Sequence, residues 1–124
     1  MSSDVYTVGL PHNVRFYVRP EDQKVLALPW DMDSAFGRSA SSPLFESGWN
    51  LSKIIDLPTN KRRYFGHMLD MIDTTYNSGY MNTWGSHYGS LFGHGFGGQV
   101  SYIQSRANSV TSQIQSQAPP GRLP

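Results

Sequence analysis

Residues 14–28 leave the chain little choice of local fold. Val14, Phe16 and Val18 alternate with Arg15, Tyr17 and Arg19, the period of a half-buried strand. Pro20-Glu21-Asp22-Gln23 follows, a turn in which Pro presets φ and Asp can bond its own backbone. Lys24 to Leu28 then returns as a second, apolar strand bounded by Pro29, so the segment is predicted to be a β-hairpin. The hairpin leads into Trp30-Asp31-Met32-Asp33-Ser34-Ala35-Phe36-Gly37. In extended backbone, positions i and i+2 share a side, which makes Asp31 and Asp33 converge. Two carboxylates about 4–5 Å apart repel by about 1–4 kcal/mol unless a cation relieves them. A hard cation with oxygen ligands, Mg²⁺ or Ca²⁺, suits such a pair. The same residues also suit a turn, where Asp is common.

The rest of the chain is helix-patterned. Arg38 to Gly48 is a Ser-rich loop, readable as a solvated connector. Asn50 to Leu57 fits a short helix, and Thr59 is placed to cap the next, Asn60 to Tyr76. There Phe65, Met68, Leu69, Ile72 and Tyr76 form one amphipathic stripe, with Asn77 to Gly79 as its stop. Lys61, Arg62 and Arg63 crowd its first turn, against the helix dipole. They fit a solvated basic face or a contact for an acidic or phosphorylated partner. Met81, Trp84, Tyr88 and Leu91 suggest a third helix, weakened by Gly85 and Gly89. Gly93 to Gly98 reads as a linker, and Val100, Ile103, Ala107, Val110 and Ile114 mark a last helix. Phe65, Leu69, Ile72, Ile103 and Val110 are expected in one core, and 118–124 as a disordered tail.

Composition narrows the function classes. The 124 residues make one domain or part of one. With 38% hydrophobic and 15% charged residues, the chain is globular and not disordered. A net charge of +1 gives no basis for nucleic-acid binding. The absence of cysteine excludes disulfides and thiolate metal sites. His12, His67, His87 and His94 show no short metal-ligand spacing. No apolar run approaches membrane-spanning length, so no membrane insertion is expected, and the N-terminus has no signal-peptide pattern.

Pro29-Trp30-Asp31-Met32-Asp33-Ser34-Ala35-Phe36-Gly37, with Pro11-His12-Asn13-Val14-Arg15-Phe16-Tyr17-Val18 upstream, resembles the spore coat protein H (CotH) kinase family. That family carries an Asn-x-x-x-Tyr-like strand and a Trp-Asp-x-Asp-x-x-Phe-Gly block in the same order. The likeness runs from about Asp4 to Ile114, its specific part lying in residues 11–37. It implies an α+β, partial protein-kinase-like fold: a hairpin carrying Asp-x-Asp, packed on three to four C-lobe-like helices, across residues 1–117. It implies an atypical protein kinase moving phosphate from ATP to Ser or Thr of a protein with Mg²⁺ or Mn²⁺. Asp4 would orient the acceptor hydroxyl, Asn13 would ligate the metal, Asp31 would bridge metal and phosphates, and Asp33 would supply or position a second ligand. Trp30 is either a packing residue or part of the nucleotide site. The Ser-rich loop would correspond to an activation loop.

A kinase also needs a glycine-rich loop and a lysine on an N-terminal lobe. The lysines are Lys24, Lys53 and Lys61, all after Asp4. The sequence is therefore expected to be a C-terminal portion, inactive alone, its partners being the missing N-terminal part and a protein substrate. The resemblance places it at a spore coat, a cell surface or outside the cell. The alternative is a non-catalytic coat or adhesion module whose Asp31 and Asp33 hold a structural cation or nothing. A glycosidase dyad needs carboxyls about 5–9.5 Å apart, at or beyond the reach of an i, i+2 pair. An EF-hand-type loop fails because Ala35 stands where an oxygen ligand belongs.

Overall fold

The computed structural model describes residues 13–31, 36–44 and 52–118. Its elements are β1 (Val14–Val18), β2 (Val25–Pro29), α1 (Ser52–Ile55), α2 (Pro58–Thr74), α3 (Ser78–Phe92) and α4 (Gly97–Gln117). The fold is α+β, four helices with a two-stranded antiparallel sheet. The chain divides into two compact units, Met1–Ser39 with Phe45–Lys53, and Ala40–Leu44 with Ile54–Pro124. The expected 118–124 tail lies, apart from Ala118, outside the described residues.

In the first unit, β1 and β2 pair from Val14↔Pro29 to Val18↔Val25. The turn is held where the sequence placed it. Arg19 grips Asp22 with two guanidinium nitrogens, and Lys24 N–H donates to Asp22 Oδ1 at 3.1 Å. The Arg19 guanidinium holds the Asp22 carboxyl below the usual carboxylate range. The half-buried strand that alternation predicts is not what forms. Phe16 and Val18 on one face are 56% and 51% exposed, and Tyr17 on the other is 49% exposed. A two-stranded ribbon has no layer of its own to cover either face.

The second unit holds the core, comprising Leu44, Ile55, Phe65, Ile103, Ala107, Val110 and Ile114. The helix α4 is its axis, packing on both α2 and α3. Of the expected core, Phe65, Ile103 and Val110 are buried, while Leu69 and Ile72 are half-buried. Helix α2 starts at Pro58, with Leu57 as an N-cap that makes no side-chain bond. Thr59 is thus inside the helix and not its cap, because Pro at the first position needs no donor partner. Asn77 caps α3 instead, its Oδ1 accepting from Tyr80 N–H at 2.9 Å while its Nδ2 donates to Ile72 O at 2.9 Å.

Helix α3 forms, but on a different face from the one its large side chains suggest. Ser78, Met81, Gly85 and Gly89 are half-buried, while Tyr80, Trp84, Tyr88 and Leu91 are 43–65% exposed. The glycines let backbone approach backbone. A Cβ on Gly89 would sit 2.5 Å from the His94 carbonyl oxygen, and Gly89 O accepts from both Gly93 and His94 N–H. Gly89→Ala is therefore expected to cost about 1–3 kcal/mol through forced backbone movement. Gly95→Ala, where nothing lies within 4 Å of the new methyl, should stay within about 0.5 kcal/mol. Urea unfolding of the two variants checks this, and equal costs would remove the close approach as the reason for Gly89.

Burial raises the Tyr64 hydroxyl above its ordinary pKa, opposed by the nearby Arg106 charge. Burial likewise raises Tyr76, with Tyr102 adding to the rise and Arg106 opposing it. A raised folded-state pKa favours the protonated folded form. That stability is complete below the ordinary tyrosine value of about 10 and is lost as pH climbs through the raised values. Melting temperature should accordingly fall above about pH 10, and fall less steeply in Tyr64→Phe.

Candidate functional site

The hairpin's open end gathers three of the residues singled out from sequence. Trp30 N–H donates to Asn13 O at 2.9 Å, extending the ladder one step past Val14↔Pro29. Asn13 and Asp31 then leave it with left-handed backbones, φ 61° and 51°. Such φ values are uncommon without glycine, and Asn and Asp tolerate them best. The two stand at the same end of adjacent strands, the hairpin mouth; Gln23 in the turn shares the conformation with φ 58°, and backbone strain of this kind is found at turns and at functional sites.

Trp30 is not core, being 59% exposed. Its ring lies 4.8 Å from the Arg15 guanidinium, a cation–π pair across the strands. The packing alternative for Trp30 is corrected by that exposure. Asp31 is exposed and Asn13 half-buried. Asp4 and Asp33 lie outside the described residues. Asn13 and Asp31 supply two oxygen donors of the type a hard cation takes. Among the described residues, no three His, Cys, Asp or Glu side chains cluster as a metal site. The mouth by itself thus offers part of a shell.

The second polar constellation was not anticipated. Ala40–Leu44, part of the Ser-rich loop, belongs to the helical unit. Arg106 of α4, only 4% exposed, donates to Ala40 O at 3.0 Å, to Ser42 O, and to Pro43 O at 3.3 Å. Two helical turns further on, Gln113 donates to Ser42 O at 3.1 Å and accepts from Leu44 N–H at 3.1 Å. Leu44 is 1% exposed. A planar guanidinium fork can serve several carbonyls at once, and buried carbonyls need such donors. The sequence signal was there. Arg106 stands three residues after Ile103 and four before Val110, on the apolar stripe where a solvated arginine has no place.

Elsewhere in the helical unit, Tyr80, Trp84 and Tyr88 form an exposed aromatic row. Trp84 and Tyr88 stack at 5.9 Å between ring centres. Helix α3 carries no Asp, Glu, Lys or Arg. A cleft of about 210 Å³ lies against Asn82, Ser86, His94 and Val100. Another, of about 470 Å³, lies against Arg63, Gly66, His67 and Asp70. Neither contains a residue of the predicted site. No helix among the described residues is long and apolar enough to cross a membrane. No family model matches the chain, and neither the curated proteins nor the solved structures yield a match.

Proposed function

We propose that the chain is a C-terminal catalytic-core portion of a CotH-like atypical protein kinase, with Mg²⁺ or Mn²⁺ and ATP as cofactors, and inactive by itself. The observation that carries this reading is the pairing of left-handed Asn13 and Asp31 at the hairpin mouth, beside Trp30. Asn13 and Asp31 would hold the metal with Asp33, and Trp30 would border the nucleotide. When bound, the metal would neutralise charge on the transferring phosphate. Asp31 keeps a carboxylate in solvent reach, and Asp4 would orient the acceptor hydroxyl. The apolar exposure of Phe16, Val18, Val25 and Leu28, 50–61% each, fits a surface that a further lobe would cover.

Millimolar Mg²⁺ should raise the stability of the wild-type chain by about 1–3 kcal/mol at 10 to 100 times its dissociation constant. Asp31→Asn should lose that response without losing stability of the metal-free protein, and Asp73→Asn on α2 should keep it. Melting temperatures with and without Mg²⁺ test this, and equal responses in all three chains would remove the mouth as a metal site. Nucleotide binding that depends on the metal separates the kinase reading from a coat or adhesion module holding a structural cation. Robust phosphorylation by the chain alone would overturn its proposed incompleteness.

A further inference from the structure

Tyr80, Trp84 and Tyr88 stand four residues apart on α3, and the helical rise of about 6 Å over four residues sets their rings in a line. Ring centres are 6.3 Å apart for the first pair and 5.9 Å for the second. Each residue is close to half exposed, 43–46%. The row faces away from the buried side of the helix, where Gly85 and Gly89 meet Phe96 and His94. His87 braces it, with its ring edge-on to Trp84 at 6.2 Å and to Tyr88 at 5.1 Å. Such edge contacts are favoured by the ring quadrupoles, so the shelf is oriented before anything binds it. Thr83 and His87, three residues after Tyr80 and Trp84 and therefore beside them on the helix surface, are exposed. The Thr83 hydroxyl donates to Gly79 O at 3.2 Å and keeps its lone pairs as acceptors.

We infer that this row is a shelf for a neutral, linear saccharide whose pyranoses carry their hydroxyls around the rim, as β-1,4-linked glucose or N-acetylglucosamine does. The ligand class follows from what the shelf offers and what it lacks. An aromatic face is negative, and the flat face of such a pyranose presents only weakly positive C–H groups, which can lie on it. The hydroxyls at the rim then reach the tyrosine hydroxyls, Thr83 and His87, which give and take hydrogen bonds. Rings at near-equal spacing suit a ligand that repeats. Charge complementarity narrows the choice further, because α3 carries no Asp, Glu, Lys or Arg. Single-stranded nucleic acid also stacks on aromatic rows, but it needs cations along its backbone. A helix lying on a lipid surface carries Lys and Arg on its polar face. A helical seam against a second copy needs apolar residues at i+3 as well as i+4, and Thr83 and His87 occupy those places. The row belongs to the helical unit, so this reading is independent of the hairpin mouth.

The test is calorimetric titration of the full chain with cellohexaose and with chitohexaose, the two probes distinguishing glucose from N-acetylglucosamine as the repeating unit. Saturable binding of at least one at millimolar concentration is expected. Maltohexaose, whose α-linkage curls the chain off a flat shelf, should bind at least about tenfold more weakly, equivalent to about 1.4 kcal/mol. Trp84→Ala should weaken binding by about tenfold or more, and Trp84→Phe, which keeps a ring, should recover part of the loss. Met71→Ala, at an exposed apolar residue of α2, should leave binding unchanged. If Trp84→Ala loses its helical circular dichroism, Tyr88→Ala takes its place. No saccharide bound, or binding indifferent to the loss of a ring from a chain with intact helices, overturns the shelf. Maltohexaose bound as tightly as the β-linked probes overturns the flat chain as ligand. Without saccharide binding, adsorption to phosphatidylcholine vesicles or a dimer in sedimentation, either one abolished by Trp84→Ala, assigns the row to lipid or to a second copy and overturns the proposal.

Discussion

Phe65→Ala is expected to destabilise the helical unit by about 3–5 kcal/mol, the range for emptying a buried aromatic site. Phe65 is 0% exposed and sits on α2, which packs on α4. Lys61 Nζ lies 6.0 Å from its ring centre, so the substitution also removes a cation–π contact. Native domains hold only about 5–15 kcal/mol in total, and the loss should therefore consume a large part of the reserve. Leu69→Ala, one turn on and half-buried, should cost clearly less. Urea unfolding followed by circular dichroism at 222 nm measures both. A cost below about 1 kcal/mol for Phe65→Ala, the size typical of an average substitution, would show that α2 is not anchored through this ring.

Arg106→Met should cost about 2–3 kcal/mol, because bonds from a charged donor to buried acceptors are among the stronger ones. Methionine keeps most of the apolar stem but leaves the carbonyls of Ala40, Ser42 and Pro43 without their donor. Arg106→Lys should fall between wild type and Arg106→Met, since an ammonium cannot span the carbonyls as a planar fork does. The segment released should also become a protease target. Trypsin cleavage after Arg38 should accelerate in Arg106→Met while the helices stay resistant. Unchanged stability together with unchanged cleavage would mean that the arginine does not hold the segment.

How much of this was legible depended on which side chains carried each contact. The hairpin was readable because Pro20 and Asp22 fix the turn and thereby the register. Helix α4 was readable because Ile103, Ala107, Val110 and Ile114 recur at helical spacing and are all buried. Helix α3 was legible as a helix but not in its orientation. Its contact is made by Gly85 and Gly89, and hydrophobic periodicity assigns no weight to a residue without a side chain. Of the residues whose spacing suggests the helix, Met81 is half-buried while Trp84, Tyr88 and Leu91 are exposed. The Ser-rich segment was misjudged for a related reason. Its composition suggests a solvated connector, yet its backbone is what α4 holds, and backbone bonding has no signature in composition. At the candidate site, Asn13 and Asp31 were named from sequence. Their left-handed backbones were not foreseen, since nothing in the residue spacing reports φ.

The bonds from α4 to Ala40–Leu44 join residues 63 to 71 positions apart in sequence. Helical turns close over four residues, on submicrosecond timescales, whereas these contacts must wait for a long loop to close. During synthesis the segment leaves the ribosome dozens of residues before its receptor helix, and at a few to twenty residues per second it spends seconds without a place to go. Leu44 is then an apolar side chain in water, between Pro43 and Phe45. Docking is expected last, after α4 has found α2 and α3. What secures the segment should then act on the far side of the folding barrier, slowing the molecule's opening and leaving the speed of its assembly to the helices.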